Sequence, residues 1–184
     1  HGFWAKSVMY EDAVAIPLMM MGPGIAEGVN STPVSLTDVS ATVQQTVGLT
    51  SKPVREPWMS RPLQGFISRP EPDRFILSEY HDGGSPCGVT MLRHREWKYV
   101  HYANGHAPQL FNLTDDPQEL RDLGSSRDHE RQRDMLRNLM GHAIDPETVN
   151  RDAFADQKML IEKLGGVDAL MEIKSFGHTP VGGR

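Results

Sequence analysis

The sequence predicts an α/β chain in two parts, and three observations carry that reading. A continuous apolar run, VAIPLMMM at 14–21, closes on Gly22-Pro23-Gly24 and leads into a one-faced helical pattern. Four short segments rich in β-branched and aromatic residues follow between 74 and 113. Amphipathic stretches between 126 and 173 then close the chain.

The run at 14–21 is apolar throughout rather than alternating, which suits a strand covered on both faces, with Pro17 pointing to an edge or a strand start. Ser35 and Asp38 resemble a capping box with Asp in place of Glu. Leu36, Val39, Val43 and Val47 make one helical stripe, and Gly48 ends it. Strand, turn and helix read as an α/β layer over 1–51. Residues 52–73 carry five prolines and little periodicity, the pattern of a linking loop.

From 74 to 184 the pattern changes. RFILSEY at 74–80 reads as a strand. GVTMLR at 88–93 and WKYVHY at 97–102 read as a hairpin, with Tyr99 and His101 on one face and Lys98, Val100 and Tyr102 on the other. QLFNL at 109–113 is a fourth strand, and Asp115-Asp116-Pro117 is a turn signal. A small antiparallel four-stranded sheet is the expectation. Ser126 begins a helix whose Met135, Leu136, Leu139 and Met140 face inward. Asp145-Pro146 begins the next, with Val149, Phe154, Leu160, Ile161 and Leu164 on its apolar side and Gly165-Gly166 as its stop.

The chain has 184 residues, 38% hydrophobic and 23% charged, enough to fold as one domain or as two small units sharing a core. A net charge of −5 argues against a general nucleic-acid partner. The longest apolar run is too short to span a bilayer, so no membrane partner is expected. The single cysteine, Cys87, excludes an internal disulfide and fits a reducing compartment, so a cytoplasmic location is the expectation. No targeting segment stands at either end, and His1 reads as the middle of a longer protein. The residues alone show no zinc-ligand spacing, no G-x-S-x-G and no phosphate loop.

An ordered series of motifs says more. Gly2, Trp4 and Lys6, then Tyr10-Glu11, then Val14-x-Ile16-Pro17-Leu18 and Gly22-Pro23-Gly24 resemble G-x-W-x-K-x-x-x-Y-E…V-P-L…G-P-G. Trp97-Lys98-Tyr99, Leu110-Phe111-Asn112-Leu113 and Asp116-Pro117-x-Glu119-x-x-Asp122-Leu123 match W-K-Y…L-F-D-L…D-P-x-E-x-x-N-L, with Asn112 and Asp122 as mild departures. With these motifs the chain resembles the C-terminal part of bacterial sulfatases of the alkaline-phosphatase superfamily, in the choline-sulfatase and arylsulfatase group. The resemblance implies the end of that fold's large mixed sheet layer, a small antiparallel sheet and closing helices.

It also implies hydrolysis of sulfate esters through a formylglycine nucleophile and a divalent cation, Ca²⁺ in expectation. Both would be held by an N-terminal portion outside this sequence, so the fragment alone should bind no cofactor and be inactive. Cys87 does not stand in the C/S-x-P-S-R frame of that nucleophile. Lys6 matches the lysine that contacts the sulfate oxygens, and a fixed ammonium there would stabilise charge moving to the leaving oxygen. His81, after the first strand of the sheet, is the candidate for touching the organic group at the pocket rim. His178, in the closing tail, reads as a mobile-tail residue. Expected partners are a small-molecule sulfate ester, the N-terminal portion and a second copy of the chain. A phosphonate monoester or phosphodiester hydrolase of the same superfamily is one alternative; a non-catalytic assembly module built on the sheet and helices is the other.

Overall fold

The computed structural model describes residues 7–49, 60–81 and 85–172. A four-stranded sheet organises them. Strands β1 (Phe75–Tyr80), β2 (Val89–His94), β3 (Trp97–Tyr102) and β4 (Gln109–Asn112) lie side by side in chain order, each pair antiparallel. The expected antiparallel sheet is present, with ends within a residue of those read from the sequence. His94 pairs with Trp97, so the β2–β3 turn has only Arg95 and Glu96 to spend, and Arg95 takes a left-handed backbone at φ 51. Arg95 Nε reaches back to Asp73 Oδ1 at 2.6 Å, tying the turn to the start of β1.

Alternation along the strands makes two covered faces. Phe75, Leu92, Tyr99 and Leu110 project to one side and form a core with Leu136 and Met140. Those two belong to α4 (Glu130–Ala143), which lies over β2 and β3. Val89, Met91 and Val100 project to the other side and pack on Met9, with Val14, Tyr80 and Tyr102 around them. A lysine shares this second face: Lys98 pairs with Phe111 across β3 and β4 and is fully buried.

The leading segment departs from expectation. Residues 11–14 form one helical turn, α1 (Glu11–Val14), and residues 15–21 make no ladder. The expected strand at 14–21 is therefore absent. A strand needs a neighbour to take its backbone hydrogen bonds, no described segment offers one, and Pro17 has no N–H to give. Met19 and Met21 are each 93% exposed.

Helix α2 (Leu36–Thr46) forms where periodicity placed it, with Asp38 Oδ2 accepting the Ser35 N–H at 2.8 Å and Gly48 at φ 75 beyond its end. Most of its apolar stripe is exposed. Leu36, Val43 and Val47 face outward, while Asp38 and Ala41 face inward. Asp38 is held there by Arg74, Nη1 to Oδ2 at 2.8 Å and Nη2 to Oδ1 at 2.9 Å, both side chains fully buried. The linking stretch is not wholly a loop, since α3 (Leu63–Ser68) lies within it and packs on α2 through Leu63 and Phe66.

A 3₁₀ turn at Arg127–His129 precedes α4, and Met135 on that helix is 43% exposed rather than inward. Helix α5 (Pro146–Lys163) has the expected cap, Asp145 accepting from the Glu147 N–H, but Phe154, Leu160 and Leu164 on its apolar side are exposed. Gly166 does not end the helical region; it opens α6 (Gly166–Glu172).

Candidate functional site

The segment that follows Lys6 can be followed from Ser7, and Lys6 itself lies outside the described residues, as does His178. Each of the three residues at 9–11 is fixed to the second face of the sheet by a different interaction. Met9 is 6% exposed and belongs to the apolar cluster of that face. The Tyr10 ring lies 5.9 Å from that of Phe111 at a tilt of 59°, and its hydroxyl accepts from Gln109 Nε2 at 3.1 Å. Gln109 Oε1 accepts in turn from the Tyr102 hydroxyl at 2.7 Å, and burial there pushes Tyr102 up to about 12. The Glu11 backbone N–H donates to Glu119 Oε2.

Lys98 stands under this segment. Its Nζ donates to the Met9 carbonyl at 2.8 Å and forms ion pairs with Glu11 Oε1 at 2.6 Å and Glu119 Oε1 at 2.7 Å. An ammonium has three protons, and three oxygens surround this one. The Glu119 side chain is 2% exposed and that of Glu11 32%. Glu119 holds its position with a left-handed backbone at φ 54, a conformation that costs a non-glycine residue roughly 1–3 kcal/mol. Three separated sequence motifs thus meet at one buried cation: Tyr10-Glu11, Trp97-Lys98-Tyr99 and Asp116-Pro117-x-Glu119. Sequence reasoning found the motifs but not their meeting. The available signal was a lysine on a strand face otherwise lined by Val100 and Tyr102.

His81 follows β1 directly. Its ring sits against Gly88, where a Cβ would come within 2.6 Å of Cε1 and 3.1 Å of Asn150 Oδ1 on α5. Its carbonyl accepts from Gln157 Nε2 of the same helix at 3.1 Å. The ring nitrogens are buried and make no hydrogen bond among the described residues; Nε2 lies 3.8 Å from Glu79 Oε1.

Cys87 is 3% exposed, and burial pushes its thiol up, the opposite of what a nucleophile needs. A groove of about 1310 Å³ runs between the 11–18 segment, the start of α2 and the outer part of β1 and β2. Ile16, Leu18, Leu36 and Val39 line it. Its half-buried cation, Arg93, is tied to the Trp97 carbonyl at 3.3 Å and shifted down by burial. Among the described residues no group of three His, Cys, Asp or Glu could hold a metal ion.

The chain, a sheet backed by α4 with a leading segment pinned across its other face, is similar over about two thirds of its length to part of known sulfatases. It is 36% identical over 129 residues to choline-sulfatase of Rhizobium meliloti, covering 68% of this chain and 24% of that protein. It is 40% identical over 134 residues to arylsulfatase K of Danio rerio, covering 68% and 25%. The chain therefore spans about a quarter of the length of these relatives. Its fold matches that of a Bacteroides thetaiotaomicron protein ascribed to the sulfatases, with a TM-score of 0.64 at 20% identity over 81% of this chain and 33% of that one. Compared with models of known protein families, the chain matches none. No described helix is long and apolar enough to cross a membrane.

Proposed function

We propose that this chain is the C-terminal quarter of a sulfuric ester hydrolase, and that Lys6 contacts the sulfate group of its substrate. The observation that carries the reading is the 36–40% identity to two sulfatases over two thirds of the chain. The Gly2-x-Trp4-x-Lys6 frame supports the role of Lys6. In this reading the nucleophile and the divalent cation, Ca²⁺ by family resemblance, belong to the portion outside this sequence. The substrate is a small-molecule sulfate ester. As its S–O bond breaks, charge moves to the leaving oxygen, and a fixed ammonium neutralises the sulfate oxygens without reorganising. His81 is assigned to the rim of the pocket, where it would meet the organic part of the ester.

The test is made in the complete enzyme with an aryl sulfate. Lys6→Ala should lower kcat by about 10²–10³, the usual cost of one preorganised donor. His81→Ala should raise KM more than it lowers kcat. An unchanged kcat in Lys6→Ala overturns the assignment of that residue. An aryl phosphonate hydrolysed far faster than the sulfate overturns the substrate class.

A further inference from the structure

We propose that buried Lys98, with Glu119, is a positioning residue for Lys6: the pair anchors the segment from which Lys6 projects and so sets where its ammonium stands. This rests on the reading of Lys6 as the sulfate contact. Lys98 and Glu119 touch no reacting atom in this proposal; they act through the chain at 9–11.

The geometry argues for an anchor rather than a general stabiliser. All three oxygens around Lys98 Nζ come from Met9, Glu11 and Glu119, and Glu119 adds a second hold by accepting the Glu11 N–H. Two of the three residues supplying those oxygens therefore lie in the leading segment itself. Lys6 is three residues before Met9 in the sequence, a separation of at most about 11 Å along any chain, so in this proposal its placement is tied to the hold on 9–11. Desolvating a lysine and a glutamate is a poor way to gain stability, because well-packed apolar residues of similar size usually do as well or better. What an ion pair with saturated geometry gives is a single register. Met9 could slide along an apolar face, but its carbonyl cannot leave the ammonium without leaving one buried N–H unpaired. The left-handed backbone of Glu119 fits this view, since strain of this kind persists where the surroundings fix a residue for a purpose.

The experiment has two arms. In the 184-residue chain, hydrogen exchange is followed at residues 9–14 and in β2, β3 and α4. Lys98→Met strands Glu119 and could fail to fold, so Lys98→Met/Glu119→Gln, which removes both charges, is measured beside it. The anchor is supported if exchange at 9–14 rises by about tenfold or more while the sheet and α4 keep their protection, a local opening. It is overturned if 9–14 stays as protected as before, or if protection falls equally everywhere.

In the complete enzyme, the double variant should lose about 10- to 100-fold in kcat with little change in KM, the scale of a small misplacement. Combined with Lys6→Ala it should lose nothing further, because Lys98 acts only through Lys6. Losses that multiply overturn the positioning role. If Lys6→Ala itself leaves kcat intact, the reading of Lys6 fails and the positioning role fails with it. The exchange arm still decides the anchor, so the two failures are told apart.

Discussion

At the scale of single residues, the sharpest constraint is the space around Gly88. Its N–H donates to Asn150 Oδ1 at 2.6 Å, and an added Cβ would meet His81 Cε1 at 2.6 Å, His81 Nδ1 at 2.7 Å and Asn150 Oδ1 at 3.1 Å. Two of those three atoms belong to one side chain. Gly88→Ala should therefore cost about 1–3 kcal/mol through overpacking. His81→Ala in the same chain should recover much of that loss, because it removes the obstacle. Thermal denaturation of the two single variants and the double one checks this; additive losses would mean that the ring is not what Gly88 accommodates. A glycine next to a cysteine in a Ser-Pro-Cys-Gly loop announces none of this in the sequence. The need arises from a histidine seven positions earlier and an asparagine on a helix 62 positions later.

At the scale of elements, periodicity located helices well and faces less well. The spacing of Leu36, Val39, Val43 and Val47 gives the right helix, and Ser35 and Asp38 give its start. Leu36, Val43 and Val47 of that stripe are exposed, because Asp38 is drawn inward by Arg74 and by the Arg61 N–H, which it accepts at 2.8 Å. A period reports which side chains share a face; it does not report which face is covered. In α4 the same reasoning placed Leu136 and Met140 correctly, because a sheet face built from Leu92, Tyr99 and Leu110 was there to receive them. The two helices therefore answer differently to similar changes. Val43→Ser, at a side chain 56% exposed, should move stability by no more than about 0.5 kcal/mol. Leu136→Ala, at a fully buried one, should cost about 2–5 kcal/mol. Urea titration of both variants decides, and a large loss for Val43→Ser would place that stripe in a core. The candidate site was legible in the same partial way. Lys98 and Glu119 stood out as motif residues 21 positions apart, but their joint hold on 9–11 depends on the turn after β4 and was not in the pattern.

At the scale of the whole molecule, the titrating groups shape how stability follows pH. His94, at the end of β2, is pushed below its ordinary 6.5, by burial first and by Arg95 second. The unfolded chain then takes up a proton before the folded one does. Stability present above pH 6.5 is lost as pH falls toward the lowered folded value. Glu147 is lowered chiefly by the Asn104 backbone N–H, Glu71 chiefly by Arg61 and Asp73 chiefly by Arg95. These carboxylates act in the same direction at lower pH, being stabilising above their ordinary 4.5 and 3.8 and losing that effect as pH falls through their folded values. Their exposure keeps each contribution small. On the alkaline side Tyr102 works in the opposite sense. Its folded value of about 12 lies above its ordinary 10, so its contribution is complete below pH 10 and is lost as pH climbs toward 12. A melting temperature followed from pH 4 to 11 should therefore form a dome, with an acid shoulder beginning near 6.5. His94→Gln should flatten that shoulder and leave the alkaline limb alone. Tyr102→Phe should cost about 1 kcal/mol of stability through the lost bond to Gln109, lowering the plateau, and soften the alkaline fall. If neither limb responds to its own variant, the two side chains are solvated in the folded chain. The second face of the sheet would then be more open at its Tyr102 end than Met9 and Tyr80 make it.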